Sequence, residues 1–238
     1  SKGNLLRTVD PASVPYRFDP IYGEAAWWPA EVVSSSEPYL LRDFRGLAVE
    51  VIPFQAEGPS RTLRAARYLR VEIVAEGTDT VNVIDRASAP ERLVPEFADL
   101  YQEQFVNWGL TRYTPLIERG KMLVICHDAF HDAMLPFVEW KNQKGCPTRI
   151  VDVSTIGNTS TQIDAYIDNV YNTEGLAFVL LVGDGAQVAT PHAGGGASDP
   201  TYAKVVGTDN YPDIFVGRFS AETAAQVQTQ VARTITYE

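Results

Sequence analysis

Cys126 and His127 stand side by side, with His131 one helical turn further on. A thiol next to imidazoles is the pairing that activates a nucleophile, and two histidines four apart have metal-ligand spacing. Two features weigh against both chemistries. Cys126 closes the apolar run Met122–Cys126, where a small buried residue is ordinary. No third or fourth ligand completes a zinc set around His127 and His131.

Oxygen donors gather elsewhere. Asp184 follows the apolar run Phe178–Val182, and Asp209, Tyr211 and Asp213 share the segment Gly207-Thr208-Asp209-Asn210-Tyr211-Pro212-Asp213. Carboxylates and carbonyls offered by a turn and a strand end suit calcium, which would fix a long loop and perform no chemistry. Asp and Asn also favour turns for their own local hydrogen bonds. The run Gly194-Gly195-Gly196 lacks the Lys-Ser/Thr of a phosphate-binding loop and reads as a surface loop. Asp199, after Ser198, reads as a loop or capping residue.

The elements that must position these groups differ between the two halves of the chain. Upstream, turn signals stand at Asp10-Pro11 and Asp19-Pro20, and Trp27-Trp28-Pro29 reads as a local anchor. Leu47, Val49 and Val51 alternate with Ala48, Glu50 and Ile52. Beyond Gly58-Pro59-Ser60, Leu69, Val71 and Ile73 alternate with Arg70 and Glu72. This predicts an antiparallel hairpin between those two runs, in a sheet with one wet face. Phe97, Leu100, Tyr101 and Phe105 predict a helix over 93–108.

Downstream, apolar strands at 122–126, 150–153, 178–182 and 214–219 alternate with helices around Met134–Lys141 and Ile163–Val170. The first helix stops at Gly145, and the second is capped by Thr159 or Ser160. Continuous apolar strands are buried on both faces, so the fold class is α/β, a mainly parallel sheet between helices. Ligand chemistry on such a sheet belongs at the carboxyl ends of its strands. Cys126 ends one strand and Cys146 precedes the next, at opposite edges of the sheet, which predicts two free thiols.

The chain of 238 residues is 45% hydrophobic and 21% charged, as a globular protein is. Twenty basic against thirty acidic residues give a net charge of −10, with no Lys/Arg cluster, which argues against a nucleic-acid partner. No apolar run has the length of a membrane-spanning helix. Residue 1 is Ser, so the expectation is a piece of a longer product whose signal peptide lies upstream.

The change of character falls at Thr111-Arg112-Tyr113-Thr114-Pro115. A lone arginine between two unlike halves has the form of an activation cleavage site, hence of a proenzyme. The stretches from Arg112-Tyr113-Thr114-Pro115 to Phe137-Val138-Glu139-Trp140-Lys141-Asn142-Gln143-Lys144-Gly145 resemble the gingipains, secreted cysteine endopeptidases of the caspase-like clan. So do Val179-Leu180-Leu181-Val182-Gly183-Asp184, Ser198-Asp199 and Val216-Gly217-Arg218-Phe219. Arg233-Thr234-Ile235-Thr236-Tyr237-Glu238 resembles the arginine-specific branch. Pro38-Tyr39-Leu40-Leu41-Arg42-Asp43-Phe44-Arg45-Gly46 and Thr62-Leu63-Arg64 resemble the gingipain prodomain.

The resemblance implies that residues 1–112 are the later part of an inhibitory β-rich prodomain. Residues 113–238 would then be the first, three-layer αβα subdomain of the catalytic unit. Arg7, in Ser1-Lys2-Gly3-Asn4-Leu5-Leu6-Arg7, would plug the specificity pocket, and cleavage would fall between Arg112 and Tyr113. Asp184, Asp209, Asp213 and the Tyr211 carbonyl would hold structural calcium, with no organic cofactor. The catalytic His and Cys would lie beyond Glu238, so no residue here is catalytic and the fragment alone is expected to be inactive. Partners would be the prodomain on its own catalytic domain, and extracellular proteins with accessible arginines. The rival readings are a non-catalytic secreted inhibitor or binding module of the same descent, and an unrelated nucleotide- or flavin-binding domain. The last would need a Gly-rich turn where Cys126-His127-Asp128 stands.

Overall fold

The computed structural model describes residues 4–74, 76–84, 90–110 and 115–238. The chain divides into two compact units, Ser1–Glu37 with Leu47–Asp79, and Pro38–Gly46 with Thr80–Glu238. These units are divided by packing, which is a different matter from the processing link expected between 112 and 113. A hairpin and a helix upstream of that link are built into the second unit. Arg112 and Tyr113 themselves lie outside the described residues.

In the first unit, β1 (Val33–Ser35) pairs antiparallel with β4 (Val49–Val51), placing Val33 opposite Val51. β5 (Phe54–Glu57) and β6 (Thr62–Ala65) form the hairpin around Gly58-Pro59-Ser60. The expected hairpin thus has its turn where predicted but other strands. Val49–Val51 pairs backwards in sequence, and Leu69–Ile73 carries no strand. Alternation alone could not show which partner each run would find. Trp27 lies under Arg64, 4.2 Å from guanidinium to ring, while Trp28 is exposed and is tied through its backbone to Ala56. Gln55 is the one buried side chain among the described residues of this unit. It donates to Pro29 O at 2.7 Å and accepts from Arg64 Nε at 2.8 Å.

The second unit is built on a parallel four-stranded sheet, in the order β10 (Thr148–Asp152), β9 (Lys121–Cys126), β11 (Leu176–Val182), β14 (Phe215–Phe219). Between these strands run α2 (His131–Gln143), α3 (Val153–Ile156) and α4 (Ser160–Glu174), and α5 (Ala224–Tyr237) follows β14. Successive side chains of a strand point to opposite faces. Leu123 and Ile125 of β9 therefore pack with Ile163, Ile167 and Val170 of α4, while Val124 and Cys126 pack with Met134 and Phe137 of α2 and Val227 and Val231 of α5. The result is three layers, αβα. Thr159 starts α4 through a reciprocal capping box with Gln162, and Gly175 ends it in the left-handed region that a side chain would resist.

Smaller pieces complete this unit. β2 (Tyr39–Leu41) and β3 (Phe44–Gly46) make a hairpin with a two-residue turn. β7 (Arg92–Leu93) pairs with β8 (Leu116–Ile117), and α1 (Pro95–Gln104) falls inside the predicted helix. β12 (His192–Ala193) and β13 (Gly196–Ala197) form a short hairpin turning on Gly194 and Gly195, both at positive φ. The glycine run is thus a hairpin turn, which such backbone angles require. Phe97 and Tyr101 of α1 join Tyr39, Leu41, Leu93, Val94 and Ala177 in a third apolar cluster.

Candidate functional site at the acidic loop

The sheet has two ends, and the predicted site residues separate onto them. Val182 pairs with Phe219 at the carboxyl end, and Phe178 with Phe215 at the amino end. Asp184 lies just past the first pair. Asp209, Tyr211 and Asp213 lie just before the second. A strand rises about 3.3 Å per residue, which sets Asp184 on the order of 20 Å from Asp213. Asp184 is exposed, and its carboxylate accepts from Ser220 Oγ at 3.2 Å. The four residues are therefore not gathered around one ion. Among the described residues no three His, Cys, Asp or Glu side chains form a metal-sized group.

The three residues at the amino end are brought together, and the acceptors of the two carboxylates face N–H donors. Asp213 is fully buried. Its Oδ2 accepts from the backbone N–H groups of Val205 (2.9 Å) and Val206 (2.7 Å), and its Oδ1 from that of Arg42 (2.9 Å). Burial pushes its carboxyl above the ordinary range, against the pull of these donors. Asp209 accepts from Leu40 N at 2.7 Å and from Tyr211 N at 2.8 Å. Tyr211 stacks on Tyr39 with ring centroids 4.1 Å apart. A carboxylate turned to N–H donors is arranged as an anion, whereas a cation ligand must turn its lone pairs to the metal. In this arrangement Asp209 and Asp213 do not fit a calcium ion.

The group they do receive is the β2–β3 hairpin. Arg42 occupies its turn at φ +47°, a backbone region that residues with a Cβ rarely adopt. Its guanidinium Nη1 donates to Leu176 O at 2.9 Å and to Asp213 O at 2.7 Å. The charged group lies 5.0 Å from the Phe97 ring and 5.1 Å from the Tyr171 ring, with only 8% of the side chain exposed. Next to it, Asp43 accepts from the Tyr101 hydroxyl at 2.7 Å, and burial together with Asp43 pushes that phenol up. Asn82 ties the hairpin to the acidic loop, donating to Pro38 O at 2.9 Å and accepting from Thr208 N at 3.0 Å. In the sequence Arg42 stands out only as part of the longer motif Pro38–Gly46. An Arg-Asp pair lacks the Gly or Asn that marks a two-residue hairpin turn.

At the carboxyl end, Cys126 is fully buried and its thiol donates to the His127 carbonyl at 3.3 Å. Burial, with Asp152 and Asp128 adding, pushes that thiol up to about 12, so it is protonated and inert. His127 Nδ1 accepts from Ala129 N at 3.3 Å, whereas His131 Nδ1 pairs with Asp152 at 2.6 Å. The two imidazoles thus serve different partners. Cys146 is also free and buried. Arg218 grips Asp199 through both carboxylate oxygens and donates to the carbonyls of Gly183 and Val188, which fastens the long loop to β14. Arg7 is exposed in a turn closed by Val9 N donating to Leu6 O at 3.0 Å.

The family model described as Peptidase family C25 matches residues 117–238, and that described as Propeptide_C25 matches residues 1–89. Gingipain R2 of Porphyromonas gingivalis is 34% identical over 247 residues, covering all of this chain and 33% of the relative. Gingipain R1 of the same organism is 33% identical over 244 residues, covering all of this chain and 24% of that protein. Lys-gingipain of Porphyromonas gingivalis is 25% identical over 252 residues, with 99% of this chain and 14% of that protein covered. The chain thus spans a third or less of each of these relatives. Among solved structures, the arginine-specific cysteine proteinase gingipain R is 38% identical, covering 53% of this chain and 31% of its own, at a TM-score of 0.49. The complex of the pro- and mature domains of RgpB from Porphyromonas gingivalis is 37% identical, covering 50% and 29%, also at 0.49. Carrying a propeptide part and a peptidase part in sequence, the chain belongs to peptidase family C25.

Proposed function

We propose that this chain is part of the zymogen of a secreted cysteine endopeptidase that cleaves after arginine and is held latent by its prodomain. One observation carries the reading. The propeptide match ends at residue 89 and the peptidase match begins at 117, and Arg112 stands in the interval between them. An arginine at the junction fits an enzyme that processes itself. The exposed turn at Arg7 supports its role as the plug, since a guanidinium must project from a fixed loop to pair with a buried carboxylate. The first unit also leaves Tyr22, Trp28 and Leu63 exposed around one cavity, with Phe18 packed on Tyr22, an apolar surface of the kind that marks an interaction site.

In the whole protein a thiolate would attack the scissile carbonyl and an imidazole would protonate the leaving amine. Neither group is assigned to this chain, because Cys126 is a protonated core thiol and both neighbouring imidazoles are engaged. Residues 113–238 contribute the scaffold half of the sheet. Substrates are extracellular proteins with accessible arginines.

The test uses the longer protein that contains this chain. After removal of the prodomain it should hydrolyse arginyl amides in strong preference to lysyl amides, and a thiol reagent should abolish the activity. The Arg112→Ala variant should not yield the new amino terminus Tyr113. Equal turnover of both amides, or maturation of the variant at the same bond, would overturn the reading. Absence of any peptidase activity would favour the non-catalytic inhibitor or binding module.

A further inference from the structure

Resting on that reading, we infer that the amino-terminal end of the peptidase sheet is an arginine receptacle that latches the propeptide in place, independently of any plug in the catalytic cleft. The segments that meet there come from opposite sides of residues 111–114. From upstream come Tyr39, Leu40, Arg42, Asn82 and Phe97. From downstream, Leu176, Thr208, Asp209, Tyr211, Asp213 and Phe215 receive them.

Among the described residues these contacts are non-covalent, and none of them depends on the peptide link at the junction. Arg42 Nη1 spans two carbonyls, Leu176 O and Asp213 O, while its own N–H is held by the buried Asp213 carboxylate. Leu40 N donates to Asp209, and Asn82 accepts from Thr208 N. Phe97 packs on Phe215 with centroids 4.8 Å apart.

Two features mark a built receptacle. The guanidinium is nearly buried, bonds to two carbonyl oxygens from downstream and lies 3.6 Å from the Asp43 carboxylate of its own turn, with aromatic rings 5.0 and 5.1 Å away. Arginine suits this because its planar fork can reach two acceptors at once and is weakly hydrated. The turn also holds Arg42 at φ +47°, an expense that persists only where surrounding contacts impose it. The site lies at the end of the sheet opposite the carboxyl edge where ligand chemistry belongs. A latch there holds the propeptide without obstructing that edge.

The test takes the chain 1–238 with a recognition sequence for an exogenous site-specific protease placed within 111–114. It is cut, diluted, and followed for separation of the halves by gel filtration. The cut halves should stay together, and Arg42→Ala should speed their separation roughly 10- to 100-fold, the weight of a buried charge-assisted hydrogen bond. Arg42→Lys should fall between, and Arg7→Ala should separate no faster than the parent. If Arg42→Ala does not fold, amide exchange on the cut parent decides. Leu40 and Arg42 should stay protected after cutting, and loss of that protection overturns the latch. So would parent halves that part at once, or an Arg42→Ala pair that holds equally well. Because the cut is supplied from outside, failure of natural processing at Arg112 leaves this result standing, and the reverse also holds.

Discussion

Arg218 and Asp199 face each other through two parallel hydrogen bonds of 2.7 Å each, Nε to Oδ2 and Nη2 to Oδ1. The pair joins β14 to the loop that leaves β11, and Arg218 Nη1 donates to the carbonyls of Gly183 and Val188. A planar fork meeting a carboxylate in this way fixes geometry as well as charge.

Asp199→Asn keeps the shape but discards the charge, leaving Arg218 with only 11% of its side chain exposed and no counter-ion in this pair. The expected loss is about 2 kcal/mol, read from the urea midpoint at neutral pH. The hydrogen bonds from Arg218 hold the Asp199 carboxyl below its ordinary value of 3.8. A depressed carboxyl contributes stability that is complete above the unfolded value and is lost as pH falls through the folded one. The parent's advantage over Asp199→Asn should therefore be constant down to about pH 4 and shrink below it. An advantage that grew on acidification would contradict this assignment.

Cys126 predicts a negative result. A thiol pushed up to about 12 is almost wholly protonated at neutral pH, and this one is fully buried. Iodoacetamide should leave it unlabelled in the folded chain and label it on denaturation. In the longer protein, Cys126→Ala should retain full peptidase activity. An inactive but folded Cys126→Ala would show that the nucleophile had been misplaced.

The acidic loop bears on calcium. Asp213 and Asp209 are committed to N–H donors, and Asp184 lies at the other end of the sheet. Millimolar calcium, compared with chelator, should therefore leave the unfolding temperature of the uncut chain unchanged. A ligand that binds only the folded state at a hundredfold excess over its Kd would add about 2.7 kcal/mol. A rise of several degrees would show that the loop had turned its acceptors to a metal.

How far the sequence could be read depended on where each signal originates. The αβα layers were legible because buried parallel strands are apolar without interruption. Leu176–Val182 reads as a strand from its own residues, and α4 carries its own cap at Thr159. The first unit was less legible. Val49–Val51 alternates wherever it pairs, and its partner Val33–Ser35 is too short to signal itself. The candidate calcium set failed to assemble because chain order says little about which end of a strand a loop returns to. The ties from Arg42 to Asp213 and from Arg218 to Asp199 were illegible for a related reason. A charged residue on a turn or strand does not name its counterpart 171 or 19 positions away.

Phe97 tests whether the region upstream of Arg112 is part of the peptidase fold. The side chain is 1% exposed, 4.8 Å from the Phe215 ring and 5.0 Å below the Arg42 guanidinium. Phe97→Ala opens a cavity between α1 and the sheet, with an expected cost of roughly 3–5 kcal/mol. Phe54→Ala, in the first unit and 54% exposed, is expected to cost under about 1 kcal/mol. If α1 only decorates the sheet, Phe97→Ala should release α1 alone, and the amides of β9 and β11 would keep their protection. If α1 is part of the core, those amides should exchange faster in proportion to the measured loss, because strands and helix would open as one cooperative unit. The apolar cluster that contains both Ala177 of β11 and Tyr101 of α1 favours the second outcome.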